Sequence, residues 1–302
     1  MSASESAAGT AAPSPVPPRP ARGKGRAGAL GMVIGSAMSL QFGSAVAALL
    51  FPRAGALGVV AMRLVFSAVL MLLVCRPRLR GHDRGDWTAV LGLGVALGTM
   101  NSLFYQAVER IPLGAVVTLE LLGPLVLSVV ASRRLVSLVW ALLALGGVYL
   151  LGSSSFGELN LAGAGFALAA GAMWTAYILF NARAGARFER ADGLALGLAV
   201  AALVSAPAGL VSAQGALLDP VVLGAGVAVA VLSSLVPYTL ELFALRRLPA
   251  ATFSVLMSLM PVVATGAGFL VLGQSLGPLQ LLAVALVVAA SAGAVRTSSA
   301  PR

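Results

Sequence analysis

Three ionisable side chains sit inside long apolar runs of this 302-residue sequence: Arg63, Glu120 and Glu241. A charge held in hydrocarbon is costly and is usually retained for function. The chemistry these groups offer is recognition of opposite charge, not bond cleavage. The one histidine, His82, lies in a charged loop, and the one cysteine, Cys75, lies in an apolar run. No His/Cys cluster with metal spacing and no Ser/His/Asp set can be assembled within the apolar segments. The sequence therefore predicts no enzyme, no metal and no cofactor, and a lone cysteine excludes an internal disulfide.

The elements that position these charges follow from composition. Hydrophobic residues make up 59% of the chain and charged residues 10%, with a mean hydropathy of +0.97. Soluble domains carry roughly 25% charged residues, so the chain is an integral membrane protein. Residues 1–28, with five prolines from Pro13 to Pro20, are expected to form a disordered cytoplasmic tail. No charge occurs between Ala27 and Pro52, a stretch too long for a signal peptide's apolar core. Ten spans are predicted: 29–51, 57–75, 87–108, 113–132, 135–152, 159–180, 193–213, 221–244, 250–272 and 277–295. Lipid offers backbone groups no partner, and the alternation of a barrel strand is absent, so these spans are helices.

Orientation can be read from basic residues. With the N-terminus inside, 17 of them fall in cytoplasmic segments: 19, 22, 24, 26, 76, 78, 80, 84, 133, 134, 183, 187, 190, 246, 247, 296 and 302. Only Arg53 and Arg110 fall outside. That asymmetry predicts both termini in the cytoplasm of a bacterial inner-membrane protein. It also explains the net charge of +10 without nucleic acid.

The chain carries an internal echo. Arg110-Ile111-Pro112 and Pro124 recur 137 residues later as Arg247-Leu248-Pro249 and Pro261. Duplication of a five-helix unit inverts the second copy, giving repeats at 29–152 and 159–296. Pro124 and Pro261 each leave a carbonyl, of Glu120 and Met257, without its helical donor. With Pro237 they are the expected hinge points, and such interrupted helices at matching places mark a transport site.

Arg63 and Glu120 each lie six or seven residues into helices entering from the same face, roughly 10 Å deep. Asn101 reaches a similar depth, with Gln41 near the centre. These four are one candidate substrate-binding set; Trp174, Tyr177, Ser233, Tyr238 and Glu241 form a second polar set, nearer the cytoplasm. Three competing explanations remain open: an Arg63–Glu120 ion pair that only clamps two helices, a surface pair between Glu241 and Arg246, and an interfacial role for Trp174 and Tyr177.

The motifs in order are Gln41-Phe-Gly43, Ala61-Met-Arg63-Leu, Met100-Asn101 with Phe104-Tyr105, Leu119-Glu120 with Gly123-Pro124, and Ser132-Arg-Arg134. In the second half come Ala172-Met-Trp174 with Tyr177-Ile, Arg183-Ala-Gly185, Pro237-Tyr238 with Leu240-Glu241, and Leu248-Pro249. Together they resemble the EamA-domain transporters of the drug/metabolite transporter superfamily, most closely the threonine/homoserine exporter branch, over residues 29–296. The resemblance implies a 5+5 inverted repeat, a central cavity and efflux of small metabolites from the cytoplasm. It also adds Tyr105 to the substrate-binding candidates. Two positions depart from the branch: its Glu-Pro on helix 9 is Met260-Pro261 here, and its Leu-Gly-Glu after that helix is Leu272-Gly273-Gln274.

The expected protein is thus an all-α integral membrane protein of ten transmembrane helices in two inverted five-helix repeats. The expected function is export of amino acids or related small metabolites by alternating access. A gradient would drive it, since no phosphate-binding loop is present. Protons are the candidate coupling ion, and a homodimer is the candidate assembly. The alternative is a membrane sensor or scaffold that transports nothing.

Overall fold

The structure, a computed structural model, describes residues 23–132, 135–153, 160–188, 191–213, 215–245, 247 and 256–298. Among them every regular element is helical. The helices are α1 (Gly23–Ala48), α2 (Phe51–Cys75), α3 (Arg84–Val108), α4 (Leu113–Glu120), α5 (Leu122–Ser132) and α6 (Leu135–Ser153). There follow α7 (Leu161–Arg187), α8 (Asp192–Ala213), α9 (Pro220–Ala230), α10 (Val236–Leu245), α11 (Met260–Leu272) and α12 (Pro278–Ser298). A π-helical turn, Val231–Leu235, joins α9 to α10.

Seven helical segments are long and apolar enough to cross a membrane: Gly28–Ala48, Phe51–Cys75, Arg84–Val108, Leu161–Arg187, Asp192–Ala213, Pro220–Glu241 and Pro278–Thr297. Three shorter apolar segments, Leu113–Leu127, Val139–Leu150 and Met260–Leu272, occupy the predicted spans 4, 5 and 9. Large apolar side chains stand exposed around the bundle, among them Val74 at 71%, Leu142 at 68% and Leu203 at 73%. Such a surface suits hydrocarbon, where backbone polarity is already satisfied inside each helix.

The ends of the helices follow local chemistry. Asp83 and Asp86 form a reciprocal capping box at the start of α3, at 2.7 and 3.0 Å. Asn160 accepts from Ala162 and Gly163 at the start of α7, and Asp219 accepts from Val221 ahead of α9. Helix α1 begins at Gly23, inside the stretch assigned from sequence to the tail. Gly55, at φ 65°, sets a first turn of α2 at an angle to the long helix that follows.

Three predicted spans are not continuous α-helices. Span 4 is interrupted at Leu121, between α4 and α5. Span 9 turns at Ser258 and Leu259 before α11, and its residues 250–255 lie outside the described residues. Span 8 carries the π turn. In each case a proline follows within a few residues (Pro124, Pro261, Pro237) and denies the preceding turn a donor. The interruptions at 121 and 258 are themselves 137 residues apart, the spacing of the repeated proline.

Packing joins the first part of the chain to the second more than either part to itself. Helix α2 packs on α8, α4 on α11 and α6 on α12; α3 packs on α7 and α8, and α1 on α10 and α11. Small residues allow the close approach. A Cβ on Gly58 would stand 3.0 Å from the Ala213 side chain, and one on Gly94 would stand 2.7 Å from the Gly197 carbonyl.

Candidate functional site

The buried polar residues gather in the middle of the bundle. Gln41 of α1, Arg63 of α2, Asn101 and Tyr105 of α3, Glu120 of α4 and Ser233 of the π turn are all 8% exposed or less. Arg63 is at the centre. Its Nη1 donates to the Tyr105 hydroxyl at 3.1 Å, and its Nη2 donates to the Ser233 carbonyl at 2.9 Å. The guanidinium carbon lies 5.6 Å from the Tyr105 ring centroid, a cation–π distance.

The Ser233 carbonyl is available because of Pro237, four residues on, which has no N–H to return to it. The preceding carbonyl, of Leu232, is also displaced from its usual partner, since the Val236 N–H bonds to Val231 instead. Ser39 of α1 fills that vacancy, donating to the Leu232 carbonyl at 2.6 Å. Two helices thus supply the donors that the π turn and its proline remove. Backbone groups buried in lipid must be satisfied in this way.

Several groups in this layer have no partner in the protein. The Nε of Arg63, the Oε1 of Gln41 and the hydroxyls of Ser67 and Ser205 are buried and unpaired. Asn101 donates to its own helix, to the Leu97 carbonyl at 2.9 Å. Arg63 and Glu120 do not form an ion pair: the ion pairs among the described residues are His82–Asp86, Arg110–Glu109, and Arg187 with Asp83 and Asp86. No direct clamp of the kind considered from the sequence forms, and the two Nη groups of Arg63 turn to Tyr105 and Ser233 instead.

Glu120 sits where α4 meets α7. Its carbonyl, freed by Pro124, faces Gly171, where a Cβ would stand only 2.5 Å away. A Cβ on Gly123 would overlap the Gly171 carbonyl. Glycine at 171 turns a hydrogen toward the Glu120 carbonyl where any other residue would place carbon.

Of the second sequence-predicted set, Ser233 reaches Arg63 through its carbonyl. Glu241 lies two turns along α10 from Ser233 and accepts from Ser36 of α1 at 2.7 Å. Arg246 and the side chain of Tyr238 lie outside the described residues. Trp174 and Tyr177 are half-buried on α7 against the main core. Sequence reasoning missed Ser36, which no spacing rule connects to Glu241. Gln274, singled out in the sequence only as a departure from the branch, accepts from the Leu113 N–H through its Oε1 at 3.0 Å and so caps α4.

Near that cap a cavity of about 430 Å³ is lined by Ala48, Phe51, Pro52, Val108, Glu109, Leu272 and Gln274. Phe51 packs edge-on to Tyr105, with ring centroids 5.5 Å apart. The aromatic pair Phe51–Tyr105 thus stands between this cavity and Arg63.

Comparison with known proteins is decisive for the family. The EamA-like transporter family profile matches residues 161–296. The threonine/homoserine exporter RhtA of Escherichia coli (strain K12) is 41% identical over 261 residues, covering 86% of this chain and 88% of that protein. The chain belongs to the EamA-like transporter family. The threonine/homoserine exporter RhtA of Salmonella typhimurium (strain LT2) is similar at 40% identity over the same shares. A solved crystal structure aligns with a TM-score of 0.62 over 89% of this chain and 96% of its own, at 18% identity, which is a likeness of fold. As a member of this family the chain is a multi-pass membrane transporter and not an enzyme.

Proposed function

We propose that this transporter exports small amino acids of the threonine and homoserine kind, binding them at Arg63 and alternating access between two inverted five-helix halves. The observation that carries the reading is the unpaired Nε of Arg63 in a buried layer. An unmet donor on a buried cation is expensive, and a substrate carboxylate would meet it with a charge-assisted bond. The ammonium of the same zwitterion suits Glu120 of α4, helped by the unpaired Oε1 of Gln41. The names of the similar RhtA proteins supply the substrate class.

Binding also has a mechanical consequence in this reading. A carboxylate that takes the Nε and Nη2 edge of Arg63 competes with the Ser233 carbonyl for Nη2. Releasing that carbonyl loosens the π turn, which lies beside α1 and α2, so occupancy and helix rearrangement are coupled. The inverted repeat is supported by the pairing pattern. Exchanging spans 1–5 with spans 6–10 turns the α3–α7 contact into α10–α1, α3–α8 into α9–α2, and α4–α7 into α11–α1, all of which occur.

The test is counterflow in proteoliposomes containing the purified protein, with labelled threonine and a panel of unlabelled amino acids. Acceleration by threonine and homoserine, and none by organic cations or sugars, is the expected result. A panel in which no amino acid exchanges would refute the assignment.

A further inference from the structure

Several helical hydroxyls among the described residues bond back to the carbonyl four residues earlier, and Ser36 and Ser39 bond across to another helix. Ser102 donates to Gly98, Thr118 to Gly114, Thr175 to Gly171, Ser233 to Val229 and Thr265 to Pro261, at 2.5–3.2 Å. That local bond removes the hydroxyl's need for any other partner. Ser67 makes neither kind of bond: it is 1% exposed, and its oxygen has no partner, not even the Arg63 carbonyl one turn back. Its neighbours on α2 explain where it looks. Residues four apart share a helix stripe, so Ser67 stands one turn from Arg63 on the same buried face.

Two other buried serines are unpaired, and neither is placed in the same way. The Ser205 oxygen is pressed against α3, 3.2 Å from where a Cβ on Gly98 would stand. Ser291 belongs to α12, which packs chiefly on α6 and less on α5, α4 and α11.

Resting on the reading that the Arg63 layer is the transport site, we infer that Ser67 reads the side-chain hydroxyl of the exported amino acid. With the carboxylate on Arg63, the hydroxyl of threonine or homoserine, three or four bonds from the carboxyl carbon, is directed along α2 toward Ser67 on the next turn, a pitch of about 5.4 Å. A serine hydroxyl both donates and accepts, so it can meet an alcohol in either sense. A site that leaves such a group unpaired penalises the substrate lacking the alcohol. Ser67 thus selects hydroxylated amino acids over their deoxy analogues.

The experiment compares threonine with 2-aminobutyrate, which is threonine without its hydroxyl, as competitors of labelled threonine counterflow in proteoliposomes. Wild type should favour threonine, and Ser67→Ala should shrink the ratio of the two half-inhibition concentrations by about fivefold to tenfold, the share of one neutral hydrogen bond. Ser67→Cys, nearly equal in size and a weak hydrogen-bonder, should shrink it similarly and serves if the alanine variant does not fold. Ser67→Thr, which keeps the hydroxyl, should preserve the preference. A ratio unchanged in the alanine or cysteine variant would overturn the role of Ser67 while leaving the exporter reading intact. Absence of threonine counterflow by wild type would overturn the exporter reading and this inference with it.

Discussion

The Arg63 guanidinium donates to the Ser233 carbonyl at 2.9 Å across 170 residues of sequence, and that carbonyl is free because Pro237 has no N–H. One side chain therefore holds together two features: a helix break and an unfilled cationic edge. The pairing predicts thermodynamic coupling. Arg63→Lys keeps the charge but cannot fork to Tyr105 and Ser233 together, leaving a buried carbonyl unmet at a cost of about 1–3 kcal/mol. Pro237→Ala restores an intrahelical donor, so it should recover part of that loss. Thermal melts of the four proteins in detergent should give a coupling energy of about 1 kcal/mol. Strict additivity would mean that Arg63 does not satisfy the freed carbonyl.

Contact between α4 and α7 depends on Gly171. A methyl there meets the Glu120 carbonyl, which is backbone and cannot swing away. Gly171→Ala should therefore destabilise the protein by about 1–3 kcal/mol, as overpacking does, and shift Glu120. Gly165→Ala on the same helix, where a Cβ meets nothing within 4 Å, is the control and should melt like wild type. Equal melting of both variants would contradict the tight approach.

Intramembrane charges and prolines made the centre of the site legible in the sequence. Arg63 and Glu120 stood out because few charges are tolerated in apolar spans, and Pro237 marked which carbonyl would lose its donor. The sequence could not say that Arg63, 170 residues away, would be that donor, or that this would leave Glu120 without an ion-pair partner. Such pairings are decided by helix packing, which periodicity does not encode. The same limit hid Ser36 from Glu241. Spans 4 and 9 read as interrupted from Pro124 and Pro261, and the breaks fall two or three residues ahead of those prolines, at Leu121 and Ser258–Leu259.

Pro124 and Pro261 stand just beyond the interruptions at Leu121 and Ser258–Leu259. Pro124→Ala and Pro261→Ala should reach the membrane and melt within a few degrees of wild type, yet export more slowly with little change in half-saturation. The motive is that a proline-marked break is a point of bending, needed for movement between states more than for binding. Wild-type turnover in both variants would make these prolines packing devices only.

Topology follows from the asymmetry of basic residues. Reporter fusions at 76–86, 181–192 and 246–249 should read cytoplasmic, and those near 153–158 and 214–219 periplasmic. At 17 basic residues against two, the rule leaves little room for dual insertion. One reversed pair of loops would break the inverted arrangement.

The central claim is that Arg63 and Glu120 receive the two ends of a zwitterion. Threonine counterflow by the Arg63→Gln, Glu120→Gln double variant in proteoliposomes tests it most directly. Neutral amides at both positions spare the fold two buried charges but offer neither end of the substrate its partner. The account predicts a double variant that purifies and melts as a folded protein and exchanges no threonine above empty liposomes. Counterflow at the wild-type rate by that folded variant would contradict it.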